Sequence, residues 1–287
     1  MIKRFGFWME KGFLAAALWS MFLTILIFAF MLVLGLRLFK EGRLLSLLTS
    51  PWAPGEGQFG IYPMIISTTV ISFLSLCLGA PLALGVSVLI CLIQPGRLGR
   101  WLKKVVVLMT AVPTVVYAFV GVFLLVPLVQ SVFSAGSGMN ILTASFVLAL
   151  LIAPTMILIF SNSFNNVPLA HQYAADALGA SSAQKLFYVI LPASWRGIVA
   201  GLILGAGRAM GDTLVALMLA GNAVAVPGYI FDSARTLTAH IALVTAADFD
   251  SVEFRTIFAC GILLYLMTLI MVLAVRFLSS LKKEADL

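Results

Sequence analysis

The feature that most constrains this sequence is a series of long segments without Asp, Glu, Lys or Arg. Four of them occupy residues 12–36, 57–96, 105–175 and 256–275, and the longest has 71 residues. A helix needs about 20 apolar residues to cross a bilayer core of about 30 Å. The 287-residue chain is 62% hydrophobic and only 10% charged, whereas soluble domains have about 25% charged residues. The sequence therefore predicts a membrane protein and excludes an ordinary soluble enzyme, a disordered chain and a secreted disulfide-linked domain.

Six apolar segments are long enough to span a membrane, which predicts an all-α polytopic fold. The predicted spans are residues 13–36, 63–93, 104–130, 141–160, 193–221 and 255–278. When the N-terminus is placed in the cytoplasm, twelve Lys and Arg lie inside and five outside. The positive-inside rule then places both termini in the cytoplasm. These flanking residues explain the net charge of +7, so no partnership with nucleic acid is expected.

Few residues suggest catalysis or metal binding. The sequence has no Gly-Lys dipeptide, so it contains no Walker A loop that could hold nucleotide phosphates. It also has no Gly-x-Ser-x-Gly nucleophile elbow. His171 and His240 lack the spacing of metal ligands and are predicted to be surface or loop residues. We therefore expect neither a catalytic site nor a metal site.

The fifth predicted span contains two charges, Arg208 and Asp212, within the segment Gly-Arg-Ala-Met-Gly-Asp-Thr that ends at Thr213. Their four-residue separation predicts that they share a helix face. Charges inside a membrane span indicate a functional site, and a guanidinium offers a planar fork of donors suited to a tetrahedral oxyanion. The alternative is a salt bridge that only fixes helix packing.

Small residues repeat along the same span. They occur at every fourth position, at Gly197, Gly201, Gly205 and Ala209. This spacing allows two helix backbones to approach closely. It predicts a structural interface, either within the chain or with a partner.

Residues 161–192 form a segment of mixed polarity on the predicted cytoplasmic side. An Ala-rich stretch from Tyr173 favours a short helix, and Gly179 is typical of a helix end. A second amphipathic stretch covers residues 182–190 and leads to Pro192. Two short helices at a membrane surface fit either an element that lies on lipid or a knob that docks in a groove of another protein.

The spacing in this segment resembles the EAA loop of ABC-importer permeases. In that loop, Glu-Ala-Ala is followed by three residues, Gly, nine residues and then Ile-x-Leu-Pro. Tyr173 stands where the Glu is usual and Val189 where the Ile is usual. The residues that match the pattern are Ala174, Ala175, Gly179, Leu191 and Pro192.

Three further segments are similar to phosphate permeases, and are closest to the PstC type, with PstA as a near relative. They are residues 60–69, residues 111–117 and residues 204–213, and the resemblance extends from about residue 60 to the C-terminus. Asp212 stands where the family usually has Glu, which shortens the carboxylate by one methylene.

The resemblance implies the type I ABC-importer permease fold. An N-terminal helix and external segment (residues 1–59) would precede a permease domain (residues 60–287) that contains the coupling segment 161–192. The implied function is a bacterial inner-membrane transport subunit for inorganic phosphate, not an enzyme. The implied partners are a second homologous permease in a heterodimer, two ATPase subunits that hold ATP and Mg²⁺, an extracytoplasmic phosphate-binding protein and membrane lipid.

The resemblance also implies two sets of functional residues. The substrate pathway would contain Arg208, Asp212, Thr213, Thr114 and Tyr117, followed by Ser67, Thr68 and Thr69. The contact with the ATPase would contain Tyr173, Ala174, Ala175, Asp176, Gly179, Leu191 and Pro192. Two other functions stay open: the same machinery for molybdate, tungstate or sulfate, and a non-transporting membrane scaffold or sensor subunit.

Overall fold

The computed structural model describes residues 2–40, 44–93, 96–133, 136–249 and 251–285, with side chains described within 9–35, 46–93, 96–133, 136–249 and 251–273. In chain order the elements are α1 (Ile2–Lys40), α2 (Leu44–Thr49), β1 (Trp52–Ala53), β2 (Gln58–Phe59), α3 (Tyr62–Val88), α4 (Arg97–Ala111), α5 (Thr114–Val120), α6 (Val126–Phe133), α7 (Ile141–Asn165), α8 (Leu169–Ala177), α9 (Ser182–Lys185), α10 (Leu191–Ala193), α11 (Trp195–Gly211), α12 (Leu214–Leu219), α13 (Leu237–Val244) and α14 (Val252–Ala285). The two strands form an antiparallel hairpin. The all-α prediction is confirmed. Several charges in the orientation count have side chains outside the described residues: Lys3, Arg4, Arg37, Lys40, Arg43, Arg276, Lys282 and Lys283.

The long apolar helices match the predicted spans. Those long and apolar enough to cross a membrane are Met9–Gly35, Tyr62–Ile93, Thr114–Phe133, Ile141–Asn165 and Val252–Leu273. A sixth candidate is the pair formed by the helical segment Ser182–Ala193 and α11, which together are long and apolar enough to cross and meet at a bend of 70°. The polytopic prediction is therefore confirmed.

The predicted start of the third span is wrong. Residues 104–111 belong to α4, a separate helix that ends at Ala111, and the apolar span starts at Thr114. The break lies at Val112, whose backbone is extended (φ −70°, ψ 125°). Pro113 follows it, and the residue before a proline is disfavoured in helical conformation. The basic residues of α4 therefore lie on their own helix, outside the span.

Helix α7 forms the centre of the bundle. In its most apolar window 72% of the residues are buried, against 22% for α3 and α14. The small-residue stripe of α11 packs against it: a Cβ on Gly201 would meet the Phe160 ring at 2.6 Å, and one on Gly205 would meet the Met156 sulfur at 2.8 Å. The interface predicted from the spacing is therefore an intramolecular one between α11 and α7.

We expect Gly201→Val to destabilise the protein. A side chain at this position must displace the fully buried Phe160 ring, and overpacking of this kind costs roughly 1–3 kcal/mol. Gly207→Ala is the matched control, because a Cβ on Gly207 of the same helix meets nothing within 4 Å. Thermal unfolding of the detergent-solubilised protein should show a lower midpoint for Gly201→Val only. Equal midpoints for the two variants would contradict the packing assignment.

The N-terminal helix packs against α14. The Phe28 ring lies 4.5 Å from the Tyr265 ring and the Phe30 ring lies 6.2 Å from the Phe258 ring, measured between centroids. A Cβ on Gly261 would collide with the end of the Met31 side chain. Helix α1 therefore lies alongside the last span. The division into residues 1–59 and 60–287 stays a prediction.

His240 is not a surface or loop residue, which corrects the sequence-based prediction. It lies in α13, is fully buried, and packs edge-on against Trp52 of the hairpin with ring centroids 4.3 Å apart. Burial, together with the positive charge of Arg235, lowers the pKa of His240 to about 4. The imidazole is therefore neutral at ordinary pH and joins the hairpin to the bundle.

Candidate functional site

Arg208 lies on α11, on the side that packs against α7. Its guanidinium is partly buried, and Nη1 donates a hydrogen bond of 2.8 Å to Thr155 Oγ1. No carboxylate among the described side chains forms an ion pair with it. The hydroxyl uses one of the five guanidinium donors. The arrangement therefore holds a cation in an apolar span and leaves donors for an anion.

Asp212 does not share a helix face with Arg208, which corrects the prediction from their spacing. Helix α11 ends at Gly211, and Asp212 is extended (φ −75°, ψ 123°). Its Oδ1 accepts a hydrogen bond of 2.8 Å from the Val215 backbone N–H, and its carbonyl oxygen accepts one of 3.0 Å from Thr238 Oγ1. The carboxylate therefore caps α12, while its charge still interacts through space with Arg208.

The other predicted pathway residues lie on two sides of the break between helices α11 and α12. Thr213 follows Asp212 and precedes α12. Tyr117 on α5 lies near Arg208, and its hydroxyl donates a hydrogen bond of 3.1 Å to the Met109 carbonyl oxygen. Thr114 is partly buried at the start of α5, three residues from Tyr117. The structure thus places Asp212 and Tyr117 near Arg208.

Three hydroxyls on α3 bond to their own helix. Ser67, Thr68 and Thr69 donate to carbonyl oxygens four residues earlier, at 2.7, 2.8 and 2.9 Å. Thr68 Oγ1 also accepts a hydrogen bond of 2.9 Å from the Leu237 backbone N–H. Thr68 thereby joins α13 to α3, which is a structural role.

Sequence reasoning missed Thr155, the hydrogen-bond partner of Arg208. It lies 53 residues away in the chain, directly after Pro154 of α7. The only signal in the sequence is a hydroxyl beside a proline in an otherwise apolar span. Such a hydroxyl usually bonds its own backbone, so the pairing becomes visible only when α7 and α11 are packed together.

The segment after α7 forms two short helices, as predicted. Gly179 ends the first one in a left-handed conformation (φ +75°), where glycine is favoured because it has no Cβ. Its N–H donates to the Asp176 carbonyl oxygen at 3.0 Å. Ser181 and Gln184 then form a capping box at the start of α9. A 2.6 Å ion pair between Asp176 and Lys185 links the two helices.

The segment from α8 to α10 presents apolar side chains at one end of the molecule. The exposed fraction is 65% for Tyr173, 89% for Leu178, 63% for Phe187 and 79% for Tyr188. Ala174, Gly179 and Pro192 are also exposed, whereas Ala175 is buried and Leu191 is partly buried. We call residues 169–193 the knob. Its predicted contact residues are thus divided between the outer surface and the packing beneath it.

The knob is firmly connected to the helix that carries Arg208. Ile190 at its base is buried in the core, and Ser194 donates a side-chain hydrogen bond of 3.2 Å to the Ser163 carbonyl oxygen of α7. Helix α11 begins at the next residue, Trp195. The knob and α11 are therefore joined by a short, packed bend.

A comparison with protein-family models gives the family. Residues 76–283 match the model described as binding-protein-dependent transport system inner membrane component. The chain belongs to this family. It is a multi-pass membrane permease subunit of an ABC transporter and not an enzyme, because ATP hydrolysis in these systems belongs to separate subunits.

Relatives with assigned names agree with this membership. The permease is 31% identical over 275 residues to the probable ABC transporter permease protein YqgH of Bacillus subtilis, covering 94% of this chain and 89% of the relative. It is 27% identical over 246 residues to the phosphate transport system permease protein PstC of Pasteurella multocida, covering 79% and 77%. Identity to PstC of Mycobacterium leprae is 29% over 240 residues, covering 77% and 75%.

Solved structures confirm the type I importer permease fold. A bacterial alginate ABC transporter in complex with its alginate-bound periplasmic protein superposes with a TM-score of 0.67 at 17% identity, covering 94% of both chains. The inward-facing MetNI methionine ABC transporter gives a TM-score of 0.59 at 19% identity, covering 74% of this permease and 93% of that chain. At these identities the likeness concerns the fold alone.

We expect Thr155→Val to weaken transport without unfolding the permease. Valine keeps the shape but removes the hydroxyl that holds Arg208. Loss of one such hydrogen bond costs about 1 kcal/mol, or roughly fivefold in apparent affinity. Thr155→Ser retains the hydroxyl and is the matched control. Uptake kinetics should show a higher KM for the valine variant only, and an unchanged KM in both would contradict the positioning role.

Proposed function

We propose that this chain is the permease subunit of an importer for inorganic phosphate. The observation that carries the proposal is Arg208, a partly buried cation in a membrane span, held by Thr155 and without an ion-pair partner among the described side chains. An unneutralised charge in a span is costly, and a bound oxyanion offsets that cost through charge-assisted hydrogen bonds. The similarity to proteins named phosphate transport system permease PstC supports phosphate as that anion.

In this proposal the anion passes beside the break between α11 and α12. Arg208 binds the anion, and Asp212 and Thr213 lie at the break. Tyr117 and Thr114 face the anion from α5. The carboxylate of Asp212 is already held by the Val215 N–H, so it stays fixed while the anion moves. Repulsion from this carboxylate limits how long the anion stays at Arg208.

The proposed complex contains a second homologous permease as a heterodimer partner, two ATPase subunits and an extracytoplasmic phosphate-binding protein. Both termini and the knob lie in the cytoplasm, and ATP and Mg²⁺ bind in the ATPases. The exposed apolar side chains of the knob, Leu178 above all, dock into a groove on an ATPase. Rigid-body motion then passes through the bend at Ser194 to α11 and Arg208.

A competition assay in cells tests the proposed substrate. Radiolabelled phosphate uptake is measured with and without this chain, its neighbours left intact, in the presence of arsenate, sulfate or molybdate. The proposal predicts uptake that needs the chain and is inhibited by arsenate alone. Inhibition by sulfate or molybdate would assign the same machinery to another oxyanion, and phosphate uptake that is indifferent to the chain would contradict the proposal.

A further inference from the structure

Helix α4 carries a concentrated positive charge that the transport proposal does not use. Its four cations, Arg97, Arg100, Lys103 and Lys104, lie within eight residues, and the helix contains no acidic residue. At 100° per residue they occupy an arc of about 120° on one face. All four are exposed, and none of them forms an ion pair with a described carboxylate.

Two of these cations line a cleft. The cleft has a volume of about 170 Å³ and lies between α4, the end of the α3 span and the end of α7. Its polar lining is Arg100, Lys103 and Asn165, and its apolar lining includes Ile90 and Cys91. The volume suits a small anionic group rather than a large ligand.

The position of the cleft indicates the membrane surface. The spans Tyr62–Ile93 and Ile141–Asn165 both end beside it. Trp101 is 60% exposed on the neighbouring face of α4, together with the exposed side chains of Leu98 and Leu108. Tryptophan is enriched at the level of lipid headgroups. A ligand in the cleft therefore has cations at one end and an exposed apolar surface beside it.

We propose that this cleft binds the phosphate group of an anionic phospholipid, such as phosphatidylglycerol, from the leaflet at this end of the molecule. Basic pockets between transmembrane helices bind anionic headgroups. Arg100 and Lys103 bind the phosphate, Asn165 offers a further donor, and the acyl chains lie over Leu98 and Trp101. The lipid thereby joins α4 to the ends of α3 and α7. This site is separate from Arg208 and does not depend on the transported substrate.

The test measures lipid stabilisation of the detergent-solubilised full-length chain within its transporter complex. Thermal unfolding is recorded with phosphatidylglycerol, with phosphatidylcholine and with inorganic phosphate as separate additions. We expect a higher midpoint with phosphatidylglycerol alone. Removal of one cation by Arg100→Gln should raise the phosphatidylglycerol concentration at half-effect about fivefold, and Arg100→Gln with Lys103→Gln about 25-fold.

Arg196→Gln is the matched control, because Arg196 is exposed at the same end but does not line the cleft. It should leave the phosphatidylglycerol effect unchanged, and all variants should unfold like the wild type in phosphatidylcholine. Equal protection by inorganic phosphate would identify a free-anion site and overturn the lipid assignment. A double variant that keeps the lipid effect but loses an ATPase subunit would assign the cations to a protein contact and overturn it too.

Discussion

Arg208→Ala should abolish phosphate uptake while the transporter still assembles. The substitution removes the guanidinium that the proposed pathway uses to bind the anion. Two charge-assisted hydrogen bonds are together worth about 3 kcal/mol or more, so uptake at low phosphate should fall at least roughly a hundredfold. The helix should persist, because alanine is the best helix former and, within the described part of the chain, the Arg208 side chain bonds only to Thr155.

Arg208→Lys separates the effect of the positive charge at this position from the effect of the guanidinium's donor geometry. Lysine keeps the positive charge but loses the planar fork of donors, so we expect partial uptake with a higher KM. Membrane abundance and co-purification of the partner subunits serve as the assembly control for both variants. Full uptake by the alanine variant would remove Arg208 from the pathway. Loss of the assembled complex in both variants would show instead that the arginine has a packing role.

Leu178→Asp should uncouple the permease from its ATPases. Leu178 is 89% exposed at the outer tip of the knob and contributes little to the fold. An aspartate in an apolar groove is desolvated without a partner, and loss of a central interface residue costs about 2 kcal/mol or more, or roughly 30-fold in affinity. We therefore expect ATPase subunits to be lost on purification and uptake to fall in parallel.

Tyr229→Asp is the matched control for the coupling variant. Tyr229 is 78% exposed and lies at the opposite end of the molecule, where the carbonyl oxygen of the next residue, Ile230, accepts a hydrogen bond from Leu142 near the start of α7. The same change of charge there should leave ATPase co-purification intact. Retention of the ATPases and of uptake by Leu178→Asp would contradict docking by the knob. The knob would then fit the alternative of an element that lies on lipid.

Features that depend on local chain properties were predictable from the sequence. The apolar runs predicted the long membrane-spanning helices, and the four-residue spacing of Gly197, Gly201 and Gly205 predicted a close helix interface, now seen against α7. Gly179 predicted a helix end because a left-handed residue without a Cβ is needed there. These are signals that a few neighbouring residues carry by themselves.

Features that depend on a break or on tertiary packing were not predictable. The spacing of Arg208 and Asp212 suggested one helix face only if the helix continued, and it ends at Gly211. The sequence beyond Lys104 is continuously apolar, so the helix boundary at Val112 was not predicted, although Pro113 indicates a helix break. The bond from Arg208 to Thr155 requires α7 and α11 to be packed together. No pattern within a single segment encodes that contact.

The most direct test of the proposed function is ATP-driven phosphate transport by the reconstituted complex. The permease, its partner permease, the ATPases and the binding protein are assembled in proteoliposomes, and radiolabelled phosphate and ATP hydrolysis are measured together. We expect phosphate accumulation that requires ATP, is inhibited by arsenate but not by sulfate, and is lost in Arg208→Ala. Binding-protein-stimulated ATP hydrolysis without any phosphate accumulation in the wild-type complex would contradict the proposed function.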